Sequence, residues 1–491
     1  MVEQEPLQNS TKIVQVLFET TGCRLNQIES ESAARFFLDK GFKVSLVPLT
    51  AKNDPDTEVK IAVINTCAVT QKAEQKDRRI IRLVLEKAPC ATVIVTGCYA
   101  QLSYNDIKAM DLRIAVLKGQ QKSRLSQIPD LLQKELDKGN FNPVDFANQI
   151  QTLVFDKETE KKLTSEDAFK LATDSFLAHS RSSIKIQDGC NNRCTYCTIN
   201  KARGYSVSLA PQEVIDRVKK LEEAGQSEVV ITTVNIGQYS GEYNGKQIKF
   251  AQLLDILLQN TSKINFRISS LYPEVVDDYF CSVIKNPRVR PHFHLSVQSG
   301  SNSVLKNMAR RYTSEDVLEA CRKLKIAKEN PFLACDIITG FPGETEADFE
   351  DTMKLCKECG FAWVHIFPFS ARPGTPAYDM KPKIPQSVSG ERAKKLGNWA
   401  KQNKKEYIDS CKDKIFDAVL ETVKHSSLFV EGKGTVVYHA VTENFLHCQL
   451  EALAGKYNLK SGQAIRVKIL GQVPQGIQKG GEIDCQAEVI Q

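Results

Sequence analysis

The stretch "SSIKIQDGCNNRCTYC", residues 182–197, decides how the chain is read. It opens as an apolar, strand-like run and passes into a loop with Cys190, Cys194 and Cys197 in the spacing CxxxCxxC. A tetrahedral zinc site needs four ligands, and disulfides need pairs. A cubane iron–sulfur cluster has four irons that each want a thiolate, so three cysteines hold three and leave one iron open. Zinc stays an alternative only if a fourth ligand comes from elsewhere. His179 is nearest upstream, and His292 and His294 lie far downstream on a strand-like run, where packing is the commoner role for histidine. The loop follows a strand directly, and functional loops of α/β barrels sit at the carboxyl ends of their strands.

Six strand-like runs belong with this loop: "SSIKIQ" (182–187), "SEVVITTVN" (227–235), "NFRISS" (265–270), "FHLSVQ" (293–298), "FLACDIIT" (332–339) and "WVHIFPFS" (363–370). Helical stretches separate them, which predicts a partial (β/α)6 barrel, open where a full barrel has eight units. Upstream, "KIVQVLFET" (12–20), "VKIAVINT" (59–66) and "ATVIVTG" (91–97) alternate with helical patterns. Residues 1–139 are therefore expected to form an α/β domain with a parallel sheet. Residues 140–178 are polar and weakly periodic, and read as a linker with some helix. Residues 179–412 form the core and end in a basic helical stretch, 391–412, with seven Lys/Arg against three Asp/Glu. The tail, 413–491, turns to short strands that suit a small all-β barrel of a kind that often binds nucleic acid.

A chain of 491 residues is too long for one core. Its 42% hydrophobic and 25% charged residues are ordinary globular values, which exclude a disordered or fibrous class. No run of about 18 apolar residues occurs, so no transmembrane helix and no membrane partner are expected. The start, "MVEQEPLQNSTK", lacks the basic and apolar regions of a secretory signal, which leaves the cytoplasm as the expected compartment. Fifteen cysteines in such a chain argue for metal or redox chemistry over disulfides. A net charge of +7 permits a polyanionic partner without establishing one.

Three more cysteines stand out: Cys23 in "TTGC", Cys67 in "NTC" and Cys98 in "VTGC". They are 44 and 31 residues apart, yet each ends a predicted strand. Parallel strands put their carboxyl ends along one edge, so three thiols distant in sequence converge on one site. The other nine, Cys90, Cys281, Cys321, Cys335, Cys356, Cys359, Cys411, Cys448 and Cys485, read as core or surface fillers. Cys356 and Cys359 form a CxxC, but within a helical pattern.

CxxxCxxC after the first barrel strand, with Tyr196 inside it, resembles the radical S-adenosylmethionine (SAM) superfamily. Two three-cysteine sets on two α/β domains resemble the methylthiotransferase family within it. The matching stretches are "GCRLNQIESE", "NTCAVTQKAEQK", "VTGCYAQ", "KIQDGCNNRCTYC", "ARGYS", "HFHLSVQSGSNSVLKNMARRYT", "DIITGFPGETEADFE" and "FPFSARPGTPA", and the likeness spans nearly the whole chain.

That resemblance implies two [4Fe–4S] clusters. One, on Cys190, Cys194 and Cys197, would bind SAM and yield a 5′-deoxyadenosyl radical; the other, on Cys23, Cys67 and Cys98, would hold the sulfur to be transferred. An electron donor and a sulfur donor are implied, neither identified by the residues. The backbone around Tyr196 would meet the adenine of SAM, and "TTVNIG" would approach its methionine end through Asn235. The family commonly has glycine where this chain has Thr233. Ser296 and Gln298 face the barrel mouth by strand alternation and would bond ribose or carboxylate. Gly340 and Gly343 in "GFPGE" would let backbone approach a ligand, unless they only shape an ordinary turn. Arg203 would grip a substrate phosphate or carboxylate, or simply lie on the surface, and Arg310 and Arg311 are weaker candidates.

The tail resembles TRAM, an RNA-binding barrel, and the basic helix suits phosphate contacts as well as it suits a solvated face. "NTCAVTQKAEQK" and "GCRLNQIESE" look like the MtaB-type branch. That branch adds a methylthio group to carbon 2 of N6-threonylcarbamoyladenosine at position 37, in tRNAs that read codons starting with A. A sister branch acts on isopentenyladenosine, and a third modifies an aspartate of a ribosomal protein. A chain that kept its clusters but lost turnover would be an iron–sulfur RNA-binding module.

Overall fold

The runs that alternation and apolar content mark as strands do pair. A computed structural model describes residues 14–55, 58–154, 165–172, 181–425, 435–453, 459–473 and 483–490. The chain divides into two units, Met1–Leu163 and Thr164–Gln491.

The first unit is a five-stranded parallel sheet: β1 (Gln15–Thr20), β2 (Lys43–Ser45), β3 (Val59–Thr66), β4 (Thr92–Gly97) and β5 (Ile114–Val116). Their order is β2-β1-β3-β4-β5. β3 and β4 are buried almost throughout, as expected of inner parallel strands covered by helices on both faces. Helix α1 (Arg24–Asp39) follows β1, α2 (Gln71–Lys87) follows β3, and the short α3 (Cys98–Leu102) follows β4. The Thr70 side chain caps α2 by accepting from the Ala73 N–H. Part of the stretch read as linker belongs here: helix Pro143–Val154 packs on the sheet, with the Gln151 amide bonding both the N–H and the C=O of Val116. An amphipathic pattern diluted by polar residues looks like a tether until its sheet partner is known.

In the second unit six parallel strands follow one another. β6 (Ser182–Lys185), β9 (Glu228–Thr232) and β12 (Asn265–Ile268) form one sheet; β13 (His292–Gln298), β14 (Phe332–Thr339) and β15 (Trp363–Pro368) form another. A parallel bridge from Leu271 to Leu295 joins the two. Short β7 (Gln187–Asp188) pairs with β8 (Val207–Ser208) across the cysteine loop, and β10 (Ser240–Tyr243) with β11 (Lys246–Lys249) makes a surface hairpin.

The tail forms a closed five-stranded barrel: β16 (Ile415–His425), β17 (Thr435–Thr442), β18 (His447–Leu453), β19 (Ala464–Gln472) and β20 (Cys485–Ile490). It shares a core with the start of β14 and with helix Gln386–Ser410: Phe332, Ala334 and Ile408 pack with Leu420, Tyr438 and Leu450. Phe445, from the β17–β18 turn, stacks on His292 at 4.0 Å, below the amino end of β13. Beside it, Glu228 at the start of β9 is 1% exposed and meets Arg267 at 2.7 Å, Arg290 at 3.2 Å and Arg181 at 3.7 Å. Arg181 and Arg290 continue to Glu421 and Glu443 of the barrel. The barrel thus caps the amino ends of the strands, opposite the cysteine loop.

The basic helix offers less free charge than its composition suggests. Arg392 is buried against Glu344, and Lys395 and Lys404 pair with Glu350 and Asp484. Lys394, Lys401 and Lys412 stay exposed. Among the described residues no helix is long and apolar enough to cross a membrane.

Candidate functional site

In the first unit Cys23, Cys67 and Cys98 directly follow or sit just beyond β1, β3 and β4, which are neighbours in the sheet. The pairings Thr20↔Asn65 and Thr66↔Gly97 bring the three strand ends level. β1 and β3 are also where the strand order reverses, the crevice in which doubly wound sheets of this order bind ligands. The Cys67 thiol is pushed up to about 12 by burial, with Cys98 and Cys23 near enough to add to the shift. A buried thiol of this kind ionises when a cation replaces its proton.

Side chains set this geometry. Asp77, reaching back from α2, accepts from the Cys67 N–H (3.0 Å) and the Thr21 hydroxyl (2.6 Å), and burial lifts its carboxyl to about 6. The Asn26 amide donates to the carbonyls of Thr21 (2.9 Å) and Thr66 (3.0 Å). Gly22 has φ of +90°, and a Cβ there would lie 2.6 Å from Cys67 Cβ and 2.8 Å from its Sγ. A left-handed backbone alone costs a non-glycine residue about 1–3 kcal/mol, and the clash adds to it. Gly22→Ala is therefore expected to part Cys23 from Cys67 and lower the iron bound by this unit. An iron assay equal to wild type would refute that packing role.

In the second unit the cysteine loop is stitched to several segments. The Cys190 N–H donates to Gly204 O (3.1 Å), the Thr195 N–H to Met308 O (3.1 Å), and the Ala377 N–H to Thr195 O (2.9 Å). Gly189, at φ of +69°, lets the loop pass the backbone of Tyr205, whose oxygen would lie 2.0 Å from any Cβ. The Tyr196 ring meets Phe341 edge to face at 6.4 Å, in an apolar patch with Val304, Met308 and Ala377.

N–H donors surround the sulfurs. The Asn192 N–H (3.4 Å), Asn235 Nδ2 and Gln238 Nε2 (both 3.8 Å) point at Cys190 Sγ. The Ile199 N–H lies 3.4 Å from Cys197 Sγ, and Arg310 Nη1 lies 3.4 Å from Cys194 Sγ. Burial pushes the Cys197 thiol up to about 12, against the pull of that Ile199 N–H. Hydrogen bonds to sulfur are how proteins stabilise anionic iron–sulfur clusters, so this donor set fits one. Among the described residues no three His, Cys, Asp or Glu side chains could hold a single metal ion. A cubane takes its thiolates at separate corners and asks for a wider triangle.

The other sequence-derived residues divide. Asn235 stands at the cysteine loop, its backbone N–H donating to Gln187 Oε1 (2.9 Å). Thr233, the departure from the family pattern, has a buried hydroxyl with no hydrogen-bond partner. Arg310 lies over the Tyr272 ring at 4.8 Å and donates to the Ser296 carbonyl at 2.8 Å, beside the cysteines. Strict alternation fails at the end of β13: the register shifts between Leu295 and Gln298, and Gln298 has φ of +72°, so a bulge aims its side chain and not the strand period alone. Arg203 is turned inward, at 2.9 and 3.1 Å from the Asp188 carboxylate, and neither the surface nor the free phosphate-gripping reading describes it. Gly340 abuts Ser389 of helix Gln386–Ser410, and the Gly343 N–H donates to Pro382 O, so the turn is braced from outside the mouth. Arg311 is exposed. His292 packs between Phe332 and Phe445, and His179 lies outside the described residues.

Sequence reading missed Asp77, Gln187 and Gln238; Gln187 lies three residues before Cys190, whereas Asp77 and Gln238 reach the cysteines only through the fold. It also read Cys321, Cys335, Cys356 and Cys359 as fillers, noting only the CxxC of the last two. Cys321 lies against Cys359, and Cys335 against Cys356, all buried between β14 and two helices.

The sequence profile of the Radical SAM superfamily matches residues 184–356, and that of Uncharacterized protein family UPF0004 matches residues 15–119. The Threonylcarbamoyladenosine tRNA methylthiotransferase MtaB of Treponema pallidum is 41% identical over 494 residues, covering 92% of this chain and 98% of that protein. Its counterpart in Bacillus subtilis is 32% identical over 459 residues, covering 93% of each. The tRNA-2-methylthio-N(6)-dimethylallyladenosine synthase of Clostridium novyi is 29% identical, covering 80% of this chain and 83% of its own. The chain therefore belongs to the MtaB-type methylthiotransferases of the radical SAM superfamily, whose fold implies a [4Fe–4S] cluster and SAM.

Proposed function

We propose that this enzyme adds a methylthio group to carbon 2 of N6-threonylcarbamoyladenosine at position 37 of tRNA. The observation that carries the reading is the pair of three-thiol sites, each at the carboxyl ends of parallel strands, in a chain so like the MtaB proteins. Carbon 2 bears a hydrogen that no side chain removes as a proton near neutral pH, so the bond calls for hydrogen-atom abstraction. When bound, a cluster on Cys190, Cys194 and Cys197 supplies the electron that cleaves SAM, and a second on Cys23, Cys67 and Cys98 supplies the site for the sulfur.

The residues around these thiols orient and shield. Asn192, Asn235, Gln238, Ile199 and Arg310 place N–H groups on the sulfurs of the second unit. Tyr196 anchors the loop, leaving its backbone to meet the adenine of SAM, while Asn235, Ser296 and Gln298 stand at the same strand ends. Asp77 and Asn26 hold the strand ends of the first unit level. We read the domains as 1–139, 179–412 and 413–491, with helix Pro143–Val154 moved to the first, the tail as a TRAM-like RNA-binding barrel, and the compartment as cytoplasmic.

Mass spectrometry of tRNA nucleosides from cells with and without the gene tests this. The methylthio-threonylcarbamoyl nucleoside should vanish in the deletion, with its unthiolated precursor accumulating. Loss of the methylthio-isopentenyl nucleoside instead would move the enzyme to the sister branch. With both nucleosides unchanged, a ribosomal-protein target or an inactive module replaces the proposal.

A further inference from the structure

Three titratable side chains on the arc of strands have no part in the reading above. His294, Asp336 and His365 come from the adjacent strands β13, β14 and β15. His294 stands opposite Ala334, and Asp336 opposite His365. Odd-numbered residues of β14 turn towards the outer helices, where Cys335 meets Cys356, so Asp336 and its neighbours line the inner face. His294 Nε2 lies 2.9 Å from Asp336 Oδ1. The His294 and His365 rings stack at 5.1 Å, with 29° between their planes.

His294 and Asp336 are 16% and 25% exposed and His365 is open to solvent, so two imidazoles and a carboxylate present donors and acceptors that a polar ligand can meet. The barrel below is contacted mainly by His292, Phe332 and Arg267, although His365 meets the ring of Trp363, which packs on the barrel core, edge to face at 6.2 Å. Their height in the arc is informative. Ser296 is two residues beyond His294, about 7 Å along a strand. Its carbonyl holds Arg310, which touches the Cys194 sulfur. A planar base brought to the reacting end would reach the three side chains with a substituent of a few atoms.

We propose that His294, Asp336 and His365 form the pocket that reads the polar substituent on the exocyclic nitrogen of the substrate adenine; this rests on the tRNA reading above. A carbamoyl-threonine group carries N–H and hydroxyl donors for the Asp336 carboxylate, and carbonyl and carboxylate acceptors for imidazole N–H. His365 is exposed, and the part of its ring that is covered, with His294 beside it, holds it down to about 4. Near pH 7 it is neutral, with one donor and one acceptor. A hydrocarbon substituent would leave these groups unpaired, and sites built around such hydrogen bonds reject it strongly.

The test is binding of the reconstituted full chain to anticodon stem-loops that differ only at position 37, bearing threonylcarbamoyladenosine or plain adenosine. Wild type should prefer the modified loop by about tenfold or more, a difference of about 1.4 kcal/mol. Asp336→Asn and His365→Phe should each shrink that preference to about twofold or less, with iron content and affinity for the plain loop as in wild type. Variants that keep the full preference overturn the pocket. So do variants that lose iron or bind both loops equally less well, because the side chains would then be structural. A wild type that binds neither loop overturns the tRNA reading, and the pocket with it.

Discussion

Glu228→Gln is expected to unfold the catalytic unit under conditions where wild type is stable. The carboxylate is 1% exposed and faces Arg267, Arg290 and Arg181, whose side chains are 2%, 4% and 6% exposed. Removing this anion leaves Arg267 with only backbone carbonyls to bond, and Arg181 and Arg290 with only their partners on the barrel, in a place that water hardly reaches. Breaking a buried pair in this way costs about 3–5 kcal/mol, against a total stability of about 5–15 kcal/mol for a typical protein. The same group gives a pH signature. Burial raises its pKa, but the arginines outweigh that and hold it at about 2, against the ordinary 4.5. Its contribution is thus complete above about 4.5 and is lost as pH falls towards 2. Urea midpoints at pH 7 for wild type and variant measure the effect. As a control, Asp278→Asn removes an exposed partner of Lys323 and should leave the midpoint in place. If the two variants unfold alike, the ion cluster is not what joins the strands to the barrel.

Cys190→Ala is expected to abolish SAM cleavage while sparing the thiol site of the first unit. A [4Fe–4S] cluster holds four irons, so reconstituted protein should fall from about eight irons per chain to about four. Three thiolates from one short loop give little redundancy, and the donors that converge on Cys190 Sγ lose their acceptor together. Cys67→Ala should do the reverse, losing the other four irons and sulfur transfer while SAM is still cleaved. Iron assay, the electron paramagnetic resonance signal and 5′-deoxyadenosine formation separate the two cases. Loss of all iron from either single change would contradict two independent sites.

The cysteine sets were legible because each follows a strand whose apolar run is unmistakable, and parallel pairing does the rest. The branch was legible in the residues after Cys23 and Cys67. What escaped were features that exist only when segments meet. Glu228 and Arg267 look like ordinary charges at strand starts, yet they are buried because the barrel docks there. Arg203 looks like a free cation beside the cysteine loop until Asp188 is placed next to it. Gln298 obeys the strand period on paper, and a register shift breaks it. The polar residues of Pro143–Val154 mask a face that only β5 reveals.

The two thiol sets also differ in when they can come into being. Cys190, Cys194 and Cys197 sit in one loop, so a short length of chain carries all three thiols of that set. Cys23, Cys67 and Cys98 are a set only after β1, β3 and β4 have paired across 75 residues of sequence. Pairing at long sequence separation is the slow part of assembling a parallel sheet. Metal delivered to a growing chain would find no complete site in the first unit until that sheet has closed. On the assignment proposed here, maturation of the enzyme is ordered by topology, with the sulfur-handling centre filled by machinery that meets a folded sheet.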